Sequence, residues 1–297
     1  MSERGEITKT WKLFIGGSSP RSESGKVFPI RGSTRRRGEA IAYAAHASRK
    51  DLRDAVEAAR GAQEKWASAT GYLRGQILYR LAEVLEGRRA ELAAAVMSGG
   101  ATSAAAKREV DESIDRTVCM AGWCDKLESV MCGRNPVAGP FHCFSHLEPV
   151  GVVAIVAPES PSLLGVLSMT LPALAAGCSV VVLASPRHPV PALVVAECAP
   201  SADIPSGVFN LLTAPKAELS GSLAAHRDID AIVASASGEG ARVLQLGTAE
   251  NFKRVRLVEP GESFASDRRG RADDSWTGPR AFVGVVEVKT IWHTVGS

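Results

Sequence analysis

What the chain lacks narrows the field first. None of its six cysteines forms a C-x-x-C pair, and no histidine stands at zinc-finger spacing from them. No structural zinc site, other metal site or disulfide framework is therefore indicated. Cys119, Cys124, Cys132, Cys143, Cys178 and Cys198 read instead as reduced thiols of a cytoplasmic protein. Residues 1–13 are polar and charged, without the apolar stretch of a signal peptide. The most apolar region, 150–193, is cut by Pro158, Glu159, Pro161, Pro172, Gly177 and Pro186, so no membrane association is expected. A net charge of +3 is too small to argue for nucleic acid. The one basic run, Arg35, Arg36 and Arg37, reads as a solvated loop. Repeats of solenoid period are absent.

What remains is an ordinary globular composition, 45% hydrophobic and 23% charged over 297 residues. That length accommodates one large domain or two smaller ones. The first 140 residues read as mainly helical. Residues 51–66, DLRDAVEAARGAQEKW, carry Leu52, Val56, Ala59 and Gln63 down one stripe, and Ser48 or Asp51 can cap the start. Residues 73–92 repeat the period with Ile77, Leu81, Leu85 and Leu92, and a third helix is expected over 104–131. Asp111, Glu112 and Asp115 read as its solvated face.

From Glu148 onward, short valine-rich runs alternate with helix-length segments. Strands are expected at 151–157, 179–183, 207–212, 229–234 and 254–258, with helices at 163–176, 189–199, 217–226 and 239–246. Five buried strands separated by helices predict an α/β fold with a doubly wound parallel sheet. Right-handed crossovers place all the strand C-termini on one edge, where such sheets bind ligands. Beyond Glu259 the regularity ends. Residues 261–279 read as a loose linker, and 282–292 as a final strand, too polar on one side for the parallel core. It is expected on a small antiparallel edge sheet with residues 141–149.

The sheet edge lacks the usual nucleotide signature. No G-x-G-x-x-G follows the first strand, whose loop reads Ala157, Pro158, Glu159, Ser160, Pro161. The one glycine-rich turn in the region is Gly238-Glu239-Gly240, which can bring helix amides to a phosphate or simply make a tight turn. His142, His146 and His188 belong to no hydrolytic constellation. Cys178, at the start of the second strand, reads as core packing.

The segments KLFIGG, DLRDAVEAARGAQEKW, YLRGQILYRLAEVLE, LEPVGVVAIVAP, TLPALAAGCSVVVL, IPSGVFNLLT, HRDIDAIVAS and NFKRVRLVEPG follow one another as in aldehyde dehydrogenases, and the tail VEVKTIW resembles that family's C-terminal strand. The resemblance runs from Lys12 to Trp292, leaving out 264–279. It is closest to the second, non-catalytic module of the family 16 enzymes. It implies a Rossmann-like cofactor unit and, by family, NAD or NADP as cofactor.

Residue by residue, the resemblance implies lost chemistry. The family's Pro-Trp-Asn, whose asparagine stabilises the oxyanion, is Pro158-Glu159-Ser160 here, so the donor becomes the shorter Ser160. Its Lys-Pro-Ser-Glu, which holds the adenosine ribose, is Leu183-Ala184-Ser185-Pro186, so Leu183 and Pro186 replace both polar contacts. Its Phe-Thr-Gly-Ser is Ala234-Ser235-Ala236-Ser237. Its Glu-Leu-Gly-Gly, carrying the general base, places Val258 at the glutamate position with Glu259 one residue late, on the opposite face of a strand. The degenerate cofactor pocket is thus expected from Pro158, Ser160, Leu183, Pro186, Ser237 and Gly240. The nucleophilic cysteine belongs to a domain after the glutamate, and no cysteine follows Cys198.

The organisation expected is a mainly helical part of the cofactor unit (1–140), a Rossmann-like core (141–260), a linker in place of the catalytic domain (261–280) and a C-terminal oligomerisation strand (281–297). The function expected is that of an inactive module for assembly or regulation, as a homodimer or with a related aldehyde dehydrogenase. Two alternatives stand beside it: an oxidoreductase completed by another chain's catalytic domain, and a fragment of a longer enzyme.

Overall fold

Ser48 starts the first helix, α1 (Arg49–Ala67), by accepting the N–H groups of Lys50 and Asp51, while the Asp51 carboxylate accepts the Ser48 N–H. Both residues therefore take part in one capping box. The stripe Leu52, Val56, Ala59, Gln63 is buried throughout. Gln63, its polar member, donates to Gly177 O at 3.1 Å and accepts the Ser179 N–H at 2.6 Å. It thereby pins the helix to the start of a core strand.

The computed structural model describes residues 8–32, 40–265 and 274–295. The arginine run at 35–37 and the middle of the expected linker lie outside the described residues. Ahead of α1 the chain forms β1 (Thr10–Trp11), β2 (Val27–Arg31) and β3 (Ala40–Ala45), a sheet in the order β1-β3-β2. The expected helical part therefore begins at Arg49, behind a small sheet that the sequence reading did not foresee. The segment AIAYAA of β3 favours a helix by propensity, and pairing on both sides overrides it.

The second helical stripe is two helices, α2 (Gly71–Gly87) and α3 (Arg89–Ser98). Arg88 leaves helical geometry between them, with φ −105° and ψ 18°. Its guanidinium binds Glu91 and Glu197, at 2.7 Å each. The third helix likewise ends early, as α4 (Ser103–Trp123), followed by the short α5 (Leu127–Met131).

β4 (Arg134–Asn135) and β5 (Phe141–Pro149) lead into the core: β6 (Val152–Val156), α6 (Leu164–Ala176), β7 (Ser179–Leu183), α7 (Val190–Cys198), β8 (Phe209–Leu212), α8 (Lys216–Ala225), β9 (Ala231–Ser235), α9 (Gly238–Ala249) and β10 (Arg254–Val258). All neighbours in this sheet are parallel, in the order β10-β9-β6-β7-β8. Every residue of β6, β7, β8 and β9 is buried, as expected of strands covered on both faces. Side chains alternate between two apolar layers. Val153, Ile155, Val180 and Val182 join residues of α4, α6 and α7; Ala154, Val156, Val181 and Leu183 join residues of α1 and α8.

The expected linker is anchored at both described ends. The rings of Phe264 and Trp276, both buried, lie 4.9 Å apart. Buried Arg116 donates to Ser168 Oγ at 2.6 Å and Phe264 O at 2.7 Å. After α10 (Asp274–Thr277), the last strand, β11 (Val286–Thr294), pairs antiparallel with β5 from Val286 opposite Pro149 to Thr294 opposite Phe141. It starts later than expected because Phe282 sits in a 3-10 turn, packed 5.9 Å from the Trp123 ring. Among the described residues no helix is long and apolar enough to cross a membrane.

Candidate functional site at the strand ends

The strand order fixes where a site can form. From β6 the chain winds outward through β7 and β8, then returns to the other side of β6 for β9 and β10. The loops after β6 and β9 diverge at this switch point, where open α/β sheets hold their ligands. Each sequence-predicted position can be located on that edge.

Pro158 is buried on the loop after β6, packed against Gly165. A Cβ at Gly165 would collide with Pro158 Cγ and would lie 3.6 Å from Phe264 Cε2. Phe264, in the segment that follows β10, therefore lies against the start of α6. Ser160 is exposed and precedes a cis peptide bond to Pro161. The first amides of α6 are already engaged: the Glu109 carboxylate accepts Leu163 N–H at 2.7 Å and Leu164 N–H at 3.2 Å. Those donors serve the fold rather than a developing charge.

Leu183 is buried in the layer shared with α1 and α8, and Pro186 is half-buried. Ser237 is the N-cap of α9 without a side-chain capping bond. At Gly240 a methyl group would meet only Ala236 Cβ, at 3.9 Å, so this glycine is not required by crowding. Val258, 1% exposed, ends β10 with its carbonyl accepting the Ala236 N–H at 3.2 Å. Glu259 is exposed one residue on.

The sequence reading missed the group that ties this edge together. The Ser185 hydroxyl donates to Glu159 Oε2, and Lys216 Nζ lies 3.1 Å from Glu159 Oε1. Ser185 Oγ also accepts the His188 N–H at 3.1 Å. Burial raises the Glu159 carboxyl. The Ser185 hydroxyl outweighs it together with the Lys216 ammonium and Arg187, so the group stays below its ordinary value. The usable signal was topological: these residues begin or follow the neighbouring loops after β6, β7 and β8.

No thiol stands on this edge. Cys178 immediately precedes β7, at the opposite end of the sheet, with Sγ 3.2 Å from Val285 O. Burial pushes it up to about 12, and does the same to Cys124 at the C-terminal end of α4. Cys119 contacts Thr277 O, Cys132 follows α5, Cys143 lies in β5 and Cys198 ends α7. Among the described residues no three His, Cys, Asp or Glu side chains converge as a metal site requires.

Residues 22–265 match the aldehyde dehydrogenase family. The chain belongs to that family. It is 31% identical over 253 residues to the cytosolic aldehyde dehydrogenase 1 of Elephantulus edwardii, covering 83% of this chain and 49% of that protein. Against the mitochondrial benzaldehyde dehydrogenase of Antirrhinum majus it is 33% identical, covering 85% of this chain and 47% of the relative. The chain thus spans about half the length of these relatives. The solved NAD-dependent aldehyde dehydrogenase of Sinorhizobium meliloti superposes with a TM-score of 0.81 at 26% identity, over 86% of this chain and 51% of the other. The betaine aldehyde dehydrogenase of Staphylococcus aureus, solved in complex with NAD+, shares the fold with a TM-score of 0.79 at 24% identity, over 84% of this chain and 49% of the other.

The family's dinucleotide can now be tested against the residues present. They do not fit it. Buried Leu183 offers no donor, Pro186 no acceptor side chain, and the nearby hydroxyl and ammonium are already held by Glu159.

Proposed function

We propose that this chain is a catalytically silent member of the aldehyde dehydrogenase family, similar to the C-terminal module of the family 16 enzymes, whose work is assembly or regulation. Aldehyde oxidation in this family needs a thiolate to attack the carbonyl carbon and a base to activate it or water. The observation that carries the reading is the pairing of two facts: buried Val258 stands at the base position, and Cys178 lies at the opposite end of the strands. Residues 1–140 and 141–260 then act as one scaffold unit, 261–280 stand in place of the catalytic domain, and 281–297 join subunits as a homodimer or to a related dehydrogenase.

The half-length match to the relatives favours a second reading, in which this is the cofactor half of a longer dehydrogenase or is completed by another chain. Calorimetric titration with NAD and NADP separates the two. The silent module shows weak binding or none. Micromolar affinity for either nucleotide would favour the second reading.

A further inference from the structure

We propose that Glu159 is a built-in occupant of this crevice, a carboxylate of the chain itself that holds the polar groups a nucleotide would otherwise use. The inference rests on the silent-module reading, in that the native crevice is taken to bind nucleotide poorly. It goes further by naming an obstacle that can be removed.

The geometry supports it through three neighbouring loops. Glu159 follows β6, Ser185 follows β7, and Lys216 opens α8 just beyond β8. These strands are adjacent in the sheet. The carboxylate spans all three, taking the Ser185 hydroxyl on one oxygen and the Lys216 ammonium, at 3.1 Å, on the other. The Glu159 and Lys216 side chains are only 35% and 22% exposed, so neither group is fully satisfied by water. An entering ligand oxygen must break this pair and leave one charge uncompensated. A phosphate must also approach the carboxylate's negative charge.

Leu183 and Pro186 are missing contacts, whereas Glu159 is an added one. Removing its charge leaves the Lys216 ammonium without its anion, with the Ser185 hydroxyl and the Arg187 charge nearby. That set suits a phosphorylated ribose better than a plain one. The gain is therefore expected to be larger for NADP, with its extra phosphate, than for NAD.

The test is calorimetric titration of the full chain, as wild type, Glu159→Gln and Glu159→Ala, with NADP and with NAD, alongside thermal melts. The near-isosteric Gln variant guards against loss of the fold: its amide oxygen can still accept from one of the two donors, while the negative charge that holds Lys216 is gone. The expected result is at least about tenfold tighter NADP binding in both variants than in wild type, with a smaller gain for NAD. Folded variants that bind no better than a non-binding wild type would overturn the occupant and leave the silent-module reading intact. Micromolar binding by the wild type would overturn both.

Discussion

Arg60 Nη2 lies 2.6 Å from Asp230 Oδ2, and the same carboxylate oxygen accepts the Val152 N–H at 2.7 Å. Arg60 also donates to Asp228 O at 2.8 Å. This joins α1 to the two strands flanking the switch point, β6 and β9, at the end opposite the candidate site. Gly151, with φ +123°, brings the chain so close that a Cβ there would collide with the Asp230 carboxylate.

Asp230→Ala should lower the unfolding free energy by about 2 kcal/mol, because the Val152 N–H at the start of a buried strand loses its acceptor. Arg60→Ala should cost under about 1 kcal/mol, since the pair is 39% and 31% exposed and screened by water. Denaturant unfolding of the two variants measures both. Equal losses would mean that the ion pair, rather than the main-chain bond, dominates.

Thiol reactivity follows burial. In the native protein Cys119 and Cys132, half-buried and both raised above the ordinary thiol value by burial, should react slowly with a thiol reagent at mildly alkaline pH, ahead of the buried four. Cys124, Cys143, Cys178 and Cys198 should react only on unfolding. Fast labelling of Cys178 before any other would contradict a thiol pushed up to about 12 by its complete burial.

The Glu159 tie sets a pH dependence. Its carboxyl lies below the ordinary value of about 4.5 in the folded chain. The stability it contributes is therefore present above that value and disappears as pH falls through the lower, folded one. Partial exposure limits it to under about 1 kcal/mol. Melts of wild type and Glu159→Gln should differ most near neutral pH and converge in acid. A gap that widens in acid would reverse the sign of this account.

The outer edge of β11 carries apolar surface: Val288 and Trp292 are each 58% exposed. An open edge of this kind invites pairing with another chain. Sedimentation should show a dimer that Val288→Lys with Trp292→Lys converts to monomer, while the melting of the parallel core is little changed. A wild type that sediments as a monomer at tens of micromolar would remove the argument for assembly through this strand.

Much of this fold was legible in the sequence, for a physical reason. Strands covered on both faces are unbroken apolar runs between glycines and prolines, and β7 falls where its valine run places it. The first sheet was not legible, because AIAYAA has no strand signal of its own. Phe282 misled because an aromatic beside valines reads as strand, whereas its partner Trp123 lies far away in sequence. Comparison of motifs proposes Ser160, Leu183, Pro186 and Val258 as altered family positions. The Glu159, Ser185 and Lys216 cluster was not, since no local period links residues on separate loops.

The central claim concerns chemistry, and the direct measurement is the absorbance of reduced nicotinamide when the purified chain is given NAD or NADP with a panel of aliphatic and aromatic aldehydes. The account predicts no enzyme-dependent signal, because it places no thiol at the strand ends and reads buried Val258 as standing at the base position. Turnover by the wild type that disappears when its cysteines are changed to serine would contradict it.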